Sequence, residues 1–415
     1  MSDETFDLEL TAMAYGGSAL GRHEKRTVFV PYTIPGEIVT AHILQDKGRI
    51  AFAEGVKLVA ASADRVFPRC AYFGPKRCGQ CQWQHIDYAA QLLLKQDVLA
   101  DQLARIGGFD EAEVRPVIPS PQQWGYNHHM TLITNEHGML GFPGADGEPV
   151  MPVDECHVLH PDLLALYDTL DLEFTGLRSL KLQIGTDGRH MIILSVETEE
   201  DVPELSVDLT TSVNLILPDN VPVNLIGDSH SHYEIGGRRF RVTAGSAFRA
   251  NISQVDALAN LVVNVLAVDA EAAVLDLYAG VGLFSAYLAP QVALVTLVES
   301  YPPAATDADE NLADFENIDV IEGSVEDVLT SMAESGRSYD AAVLDPPSSG
   351  LSLEAIDALA ESGIPRLVYV SSDPATLARD AKRLVQQGYT LGAVHPIDFS
   401  PHTYYIDSVA VLQRR

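Results

Sequence analysis

Residues 266–415 repeat an order of strand, turn and helix, and this repetition constrains the fold more than any other feature of the chain. Short apolar runs alternate with helical stretches through the whole segment. Such alternation predicts a parallel sheet covered by helices on both faces. The predicted strands are Ala273–Leu277, Ala293–Glu299, Asp319–Ile321, Ala341–Leu344, Leu367–Val370, Thr390–Val394 and Ile406–Leu412.

The first of these strands ends in a glycine-rich loop that begins with Asp276 and also contains Tyr278. Gly280 and Gly282 allow a tight turn and a close approach of the backbone to a ligand at the carboxyl edge of the sheet. Glu299 ends the second strand, where a carboxylate can accept both ribose hydroxyls of an adenosine ligand. The alternative interpretation of Glu299 is a solvent residue at a strand end.

A third marker, Asp345-Pro346-Pro347, follows the strand Ala341–Leu344. Two prolines after an aspartate give a stiff loop that can hold a base or a methyl acceptor against a methyl donor. Together with the glycine loop and Glu299, this motif predicts a binding site for S-adenosylmethionine.

The N-terminal residues 5–60 show a different pattern, in which polar and apolar positions alternate between glycine turns. This period of two predicts a small antiparallel barrel. Barrels of this size often bind oligonucleotides, although many only pack. A helix from about Tyr88 to Arg105 is predicted to stop at Gly107-Gly108.

The net charge of −31 is spread unevenly along the chain. Residues 1–130 hold 13 basic and 15 acidic side chains, whereas residues 131–235 hold 3 and 19, and residues 236–415 hold 11 and 24. Phosphate binding depends on Lys and Arg, so an RNA partner is expected mainly at the N-terminal third. The alternative interpretation of the acidity is solubility.

The chain begins without a basic, apolar leader, and its apolar runs are shorter than a membrane span requires. We therefore expect a cytoplasmic protein that binds no membrane. Four cysteines, three of them within twelve residues, do not make a secreted disulfide framework.

These motifs together resemble the S-adenosylmethionine-dependent RNA 5-methyluridine methyltransferases, specifically the iron–sulfur branch that acts on ribosomal RNA. The resemblance covers nearly the whole chain and includes the tail 398–411. It implies a TRAM-like barrel over residues 1–62, a mixed α+β central domain over 63–265, and a class I methyltransferase domain with a seven-stranded sheet over 266–415. It also implies a monomer whose partner is RNA, 23S rRNA in particular, and not DNA.

The cysteines match the cluster loop of this family. Cys70, Cys78 and Cys81 correspond to three ligands, although the first gap is longer than usual, and Cys156 corresponds to the fourth. Four thiolates are what a 4Fe–4S cluster requires. Tetrahedral zinc and unliganded cysteines remain the alternatives.

The catalytic positions depart from the family. Its nucleophile is a cysteine in Val-Ser-Cys-Asn-Pro, and here Ser372 stands at that position. Its base is a glutamate in the tail, and here Asp407 replaces it. Serine needs a base to activate it, and Asp373 is a poor base unless it is buried. The alternative interpretation of Ser372 is a turn residue.

Three further positions differ from the family. Arg249 replaces the glutamine of Phe-Gln-x-Asn, Ser348 replaces the arginine after Asp-Pro-Pro, and Tyr126-Asn-His-His129 replaces Tyr-Arg-Asn. Arg249 is still expected among the residues that bind the methyl donor. An intact scaffold with altered catalytic positions is compatible with three alternative functions. They are a working RNA uracil-C5 methyltransferase, a catalytically silent paralogue that binds RNA and S-adenosylmethionine, and a methyltransferase that acts on another atom. The third is disfavoured because amino-group methylation usually stacks the base on an aromatic residue after Asp-Pro-Pro, and the residue at that position here is Ser348.

Overall fold

The N-terminal unit is a closed five-stranded barrel. The computed structural model describes residues 5–135, 139–145, 150–170, 176–198 and 211–415. The barrel strands follow one another in the order β1-β2-β3-β5-β4, and β3 pairs with β5 in parallel, so the predicted barrel is not antiparallel throughout. Closing the ring places β3 beside β5, two strands that are not consecutive in the chain and that a simple meander would not pair. The strands are β1 (Thr5–Met13), β2 (Ala19–His23), β3 (Arg26–Val30), β4 (Ile38–Asp46) and β5 (Ile50–Ala60).

Helix α1 (Tyr88–Gln102) follows the cysteine loop, which we define as residues 70–85. The Asp87 carboxylate caps its first turn by accepting a hydrogen bond from the Ala89 amide. A π-helical turn continues α1, and Gly108, with φ +79°, ends it in the left-handed conformation. The predicted glycine stop is thus confirmed.

The central unit is a six-stranded sheet in the order β11-β10-β9-β8-β6-β7. Helix α2 (Pro161–Asp168) packs on one face of this sheet through Leu163 and Leu166. The strands are β6 (His129–Thr134), β7 (Leu140–Gly141), β8 (Leu177–Ile184), β9 (His190–Val196), β10 (Ser212–Ile216) and β11 (Pro222–Ile226).

The C-terminal unit is a sheet in the order β16-β15-β14-β17-β18-β20-β19, and its seven strands match the number that the family resemblance implies. Its strands are β14 (Ala273–Leu277), β15 (Leu294–Glu299), β16 (Ile318–Glu322), β17 (Ala341–Leu344), β18 (Arg366–Ser371), β19 (Tyr389–Ile397) and β20 (Asp407–Arg414). Only β20 runs against its neighbours, because it returns from β19 and enters beside β18. The class I methyltransferase arrangement is therefore present, but the sheet is not wholly parallel.

Helices cover both faces of the seven-stranded sheet. They are α3 (Val255–Leu266), α4 (Leu283–Leu288), α5 (Pro302–Asn311), α6 (Val325–Ser335), α7 (Leu353–Ser362) and α8 (Pro374–Gln386). The hairpin of β12 (His230–Ile235) and β13 (Arg238–Thr243) shares their core. The hairpin and α3 belong to this core although they precede residue 266, where the methyltransferase domain is predicted to begin. The domain limits at 62 and 265 stay a prediction. No helix in the described ranges is long and apolar enough to cross a bilayer.

The segment between β19 and β20, residues 398–403, is called the tail loop here. Lys95 and Asp398 form an ion pair of 2.7 Å in which both side chains are fully buried. The Tyr126 hydroxyl donates to the Pro401 carbonyl, and the amides of Gln82 and Trp83 donate to the carbonyl of His402. The tail loop is thereby fixed by α1, by the central unit and by the cysteine loop.

Candidate active site

A cavity opens at the carboxyl edge of the seven-stranded sheet, beside the loops that follow β14, β15 and β17. Its volume is about 470 Å³. We call it the sheet-edge cavity. Its polar and aromatic lining comprises Phe248, Arg249, Tyr278, Phe284, Glu299, Ser300 and Asp345, and the prolines 346 and 347 form part of the wall.

The glycine loop takes an unusual backbone path around this cavity. Tyr278, with φ +59°, and Gly280, with φ +56°, both occupy the left-handed region. A Cβ atom at Gly280 would meet nothing within 4 Å, whereas one at Gly282 would lie 2.7 Å from a Leu312 methyl group. Gly280 thus leaves space on its open side, and Gly282 is required for packing against Leu312.

Glu299 connects the glycine loop to the next strand end. Its Oε2 accepts a hydrogen bond from the Gly280 amide at 2.8 Å, and its Oε1 accepts one from the Tyr301 amide at 2.7 Å. The carboxylate is thereby held at the rim of the sheet-edge cavity. Each oxygen still has a lone pair that can accept a hydroxyl hydrogen.

Asp276 lies beneath the glycine loop and is absent from the lining of the cavity. Its side chain is fully buried, and its Oδ2 accepts hydrogen bonds from the amide and the hydroxyl of Ser285, in the first turns of α4. Burial raises the pKa of Asp276 to about 7, against the Ser285 hydrogen bonds, which lower it. The geometry makes Asp276 a support of the loop.

Arg249 links two carboxylates, those of Asp345 and Asp407. They lie where a methyl acceptor is expected, and we call this part of the cavity the acceptor side. Its Nη1 donates to Asp407 Oδ1 at 2.6 Å, and its Nη2 donates to Asp345 Oδ1 at 2.8 Å. Burial raises the pKa of Asp407 to about 6, although the Arg249 charge acts in the opposite direction. Sequence reasoning named all three residues but did not detect this contact, because Arg249 and Asp407 are 158 positions apart.

Ser372 lies one residue beyond the end of β18. Because Ser371 pairs with Ser408, Ser372 and Asp407 occupy adjacent positions at the same end of neighbouring antiparallel strands. The Ser372 side chain is partly exposed, and no hydrogen bond to its hydroxyl is found within the described part of the chain. The two family positions are thus brought together, but no base is bonded to the hydroxyl.

Both carboxylate oxygens of Asp373 already accept hydrogen bonds from other residues. Its Oδ1 caps α8 by accepting the amides of Ala375 and Thr376, and its Oδ2 accepts the Tyr15 hydroxyl from the barrel at 2.7 Å. A carboxylate held by three donors is not free to take the Ser372 proton. The Tyr15 contact was missed by sequence reasoning, which has no signal for a pair 358 positions apart.

The remaining divergent positions have different surroundings. Ser348 is exposed after the two prolines. His129 is half-buried beside the cavity wall, where its Nε2 lies 2.8 Å from the Phe248 carbonyl oxygen. Burial lowers the pKa of His129 to about 3, so the ring is neutral and donates this hydrogen bond.

The four cysteines line a separate, small cavity of about 20 Å³, called the cysteine cavity here. Its other walls include Tyr72, Phe73 and Phe142, so the sulfur atoms lie in largely apolar surroundings. Burial, followed by the neighbouring thiols Cys78 and Cys70, raises the pKa of Cys156 to about 11.

Hydrogen bonds hold the cysteine loop against the Cys156 segment. The Ala71 amide donates to Glu155, and the Tyr72 hydroxyl donates to Asp154. Among the described residues, no three His, Cys, Asp or Glu side chains converge closely enough to hold a single metal ion. The structure therefore brings the four predicted cysteines to the lining of one cavity.

Known proteins share both the sequence and the architecture. Residues 230–415 match the tRNA (Uracil-5-)-methyltransferase family, and residues 3–56 match the TRAM domain. An uncharacterized RNA methyltransferase of Gloeobacter violaceus is 31% identical over 100% of this chain and 97% of its own length. The 23S rRNA (uracil(1939)-C(5))-methyltransferase RlmD of Shewanella sediminis is 29% identical, covering 98% of this chain and 95% of its own.

A solved structure has the same fold over nearly its full length. The Pyrococcus abyssi tRNA (uracil-54, C5)-methyltransferase, in complex with S-adenosyl-L-homocysteine, superposes with a TM-score of 0.73 at 24% identity, covering 98% of this chain and 99% of that one. The chain belongs to the TRAM-containing family of RNA uracil-5-methyltransferases.

Proposed function

We propose that the protein binds S-adenosylmethionine in the sheet-edge cavity and methylates carbon 5 of a uracil in 23S rRNA. One observation carries the proposal: a single cavity is lined by Gly280 and Glu299 on one side and by Asp345 and Arg249 on the other. Arg249 in turn reaches Asp407 at the family's base position. The ribosomal substrate is suggested by the relative from Shewanella sediminis.

The methyl-donor side needs no rearrangement of the chain. Glu299 is fixed by two backbone amides and can accept the ribose hydroxyls, and the open side of Gly280 leaves room for the ligand. Tyr278 and Phe284 add aromatic walls. S-adenosylmethionine, when bound, supplies the methyl group as an electrophile.

The acceptor side uses Ser372 and Asp407. In the proposed reaction the Ser372 oxygen bonds to carbon 6 of the uracil and loses its proton to solvent, which makes carbon 5 nucleophilic. When carbon 5 takes the methyl group, the bond between that methyl group and the donor sulfur breaks. Asp407 then takes the carbon-5 proton, the bond between the Ser372 oxygen and carbon 6 breaks, and the Ser372 oxygen regains a proton from solvent. Arg249 makes Asp407 a weaker base in this last step, because its charge stabilises the carboxylate and its hydrogen bond occupies Oδ1, which leaves Oδ2 to take the proton.

The second candidate is a catalytically silent paralogue that binds RNA and S-adenosylmethionine. It is supported by the commitment of Asp373 to α8 and Tyr15, which leaves Ser372 without an adjacent base. It is also supported by the hydrogen bond that ties Asp407 to Arg249. Both observations concern the acceptor side alone, so ligand binding is common to the two candidates.

We also propose that the cysteine cavity holds a 4Fe–4S cluster on Cys70, Cys78, Cys81 and Cys156. All four thiols face one apolar cavity, and a cluster binds each thiolate to a different iron. A single zinc ion instead requires four sulfurs at about 2.3 Å from one centre. Metal and acid-labile sulfide analysis distinguishes the two kinds of site.

The barrel is proposed to contact the RNA. Phe52 is 41% exposed and stacks on Phe29, with the Lys47 ammonium group 5.2 Å from its ring centre. Aromatic rings beside basic side chains suit unpaired bases and their phosphates. We further propose a cytoplasmic monomer.

Calorimetry and a methyl-transfer assay test the two candidates together. Glu299→Gln should weaken S-adenosylmethionine binding by at least about tenfold, because one ribose acceptor becomes a donor. Glu322→Gln is the matched control, since Glu322 pairs with Glu299 at the end of the next strand. Formation of 5-methyluridine in a 23S rRNA transcript supports the working enzyme. Binding without transfer supports the silent paralogue, and absence of binding contradicts both.

A further inference from the structure

The central sheet has a second face, turned away from helix α2, which we call the polar face. It carries Thr131 and Lys181 next to the buried apolar side chains of Met191 and Ile193. In the register of the sheet, Lys181 on β8 lies opposite Thr131 on β6 and Ile193 on β9. Its strand neighbours Leu180 and Leu182 belong to the core beneath α2. Since successive side chains of a strand alternate between faces, Lys181 lies on the opposite face, together with Thr131 and Ile193.

This polar face adjoins the sheet-edge cavity. Ile193 packs against Ala244, and the chain that follows Ala244 forms the cavity wall at Phe248 and Arg249. His129, which lies on the same face two positions before Thr131, donates to the Phe248 carbonyl. Lys181 is therefore on the surface that leads to the catalytic carboxylates.

Lys181 lacks the partner that a buried charge usually has. Its side chain is partly buried, and within the described ranges no carboxylate pairs with its ammonium group and no hydrogen bond to it is found. Lys95, by contrast, is fully buried and paired with Asp398 at 2.7 Å. Burial lowers the pKa of Lys181 to about 8, and its neighbour His129 is neutral. The ammonium group is not among the buried, unbonded polar atoms of the described residues, so it reaches solvent and is accessible to an external anion.

The surrounding sequence makes this lysine exceptional. Residues 131–235 contain 19 acidic and only 3 basic side chains, and Lys181 is the only lysine among them. The general field of this segment repels a polyanion, so anion binding here requires a local cation. The exposed Thr131 leaves one side of Lys181 open to solvent.

We propose that Lys181 binds a backbone phosphate of the RNA strand beside the target nucleotide, so that the strand crosses the polar face of the central sheet into the sheet-edge cavity. The inference rests on the proposed function, because it requires an RNA substrate. A phosphodiester is favoured over a base edge because an ammonium group is a point charge that needs no planar partner. A backbone phosphodiester also accompanies every nucleotide, whatever the base.

Salt-dependent binding of a fluorescent 20-nucleotide oligouridylate tests the inference. The full chain, Lys181→Gln, Lys181→Arg and Arg178→Gln are compared between 50 and 200 mM KCl. Arg178 is the matched control, since it is an exposed cation on the same strand. Lys181→Gln should lower affinity at least about tenfold at low salt and reduce the log–log salt slope by about 0.7. Lys181→Arg and Arg178→Gln should keep the wild-type slope.

Three outcomes overturn the inference in distinguishable ways. Equal slopes for wild type and Lys181→Gln show that Lys181 touches no phosphate. A loss of S-adenosylmethionine affinity in Lys181→Gln, with RNA binding unchanged, assigns the lysine to the carboxylate of the methyl donor. Absence of RNA binding by the wild type removes the proposed function as well. Misfolding is checked by thermal unfolding, where Lys181→Gln should match or exceed the wild type, because it removes an unpaired charge.

Discussion

Arg249 and Asp407 are joined by a hydrogen bond of 2.6 Å at the acceptor side of the sheet-edge cavity. The same guanidinium group binds Asp345 through two contacts of 2.8 and 3.1 Å. One cation thus serves two carboxylates that would otherwise repel each other. An uncharged side chain at position 249 could not serve both, so this arrangement depends on the arginine. The side chains at positions 249 and 407 are therefore physically connected.

A double-mutant cycle between Arg249→Met and Asp407→Asn should measure this connection. Charge-assisted hydrogen bonds between partly buried groups predict a coupling free energy of about 1.5–3 kcal/mol in urea unfolding. The exposed pair Arg105 and Asp101 is the control, and its coupling should be about 0–1 kcal/mol. Equal couplings for the two pairs would show that the contact at Arg249 has no special energetic role.

Asp276 should make the stability of the protein depend on pH. Its folded pKa of about 7 lies above the unfolded value of about 3.9, so the folded state binds the proton more tightly. Its contribution to stability is fully present below pH 4 and is lost as the pH rises through 7. Asp276→Asn should flatten the decline in the free energy of unfolding between pH 4 and 8. Asp319→Asn, at an exposed strand position, should leave it unchanged.

The order of elements in residues 266–415 could be predicted because each element is defined by local periodicity. The strands β14 (Ala273–Leu277) and β17 (Ala341–Leu344) have the predicted limits, and the other strands differ by a few residues at their ends. The antiparallel insertion of β20 was not predicted, because the direction of a strand is decided by its partners. Local sequence does not report these partners.

The connections around the site could not be predicted for the same reason. Tyr15 reaches Asp373, and Lys95 reaches Asp398, across more than 300 positions in each case. These contacts depend on how the barrel and α1 pack on the seven-stranded sheet. Motif reasoning identifies the residues that face the site but not the residues that restrain them, and here the restraints decide what Asp373 and Asp407 can do.

The cysteine cavity should be coupled to the tail loop. Gln82 and Trp83 directly follow Cys81, and both their amides donate to the His402 carbonyl, at 3.1 and 2.9 Å. Loss of the ligand at Cys81 should loosen this attachment. We expect Cys81→Ser to release iron and to increase hydrogen exchange at amides 398–404, while amides of β14 (Ala273–Leu277) stay protected.

Anaerobic purification and metal analysis provide the independent measurement. About four irons and four acid-labile sulfides per chain are expected for the wild type. Stoichiometric zinc without sulfide would replace the cluster by a structural zinc ion. Unchanged exchange in Cys81→Ser, despite loss of iron, would show that the tail loop is held by Lys95 and Tyr126 alone.

Activity should be limited by the acceptor side, and restoring the family residues should raise it. Ser372→Cys supplies a nucleophile that is a few per cent thiolate near pH 7 and needs no adjacent base. This matters because Asp373 is already bonded to three donors. We therefore expect Ser372→Cys to increase tritiated methyl transfer to uracil in 23S rRNA transcripts.

Asp407→Glu alone should help little, because Arg249 still holds the carboxylate. The combination of Ser372→Cys, Arg249→Gln and Asp407→Glu removes that restraint and lengthens the side chain by one bond. Since a misplacement of about 1 Å can cost roughly a hundredfold, the triple variant should exceed the product of the separate gains. Nucleoside analysis must place the methyl group on carbon 5. Ser372→Ala is the control, and rapid 5-methyluridine formation by the wild type that survives Ser372→Ala would identify a different nucleophile and refute the assignment.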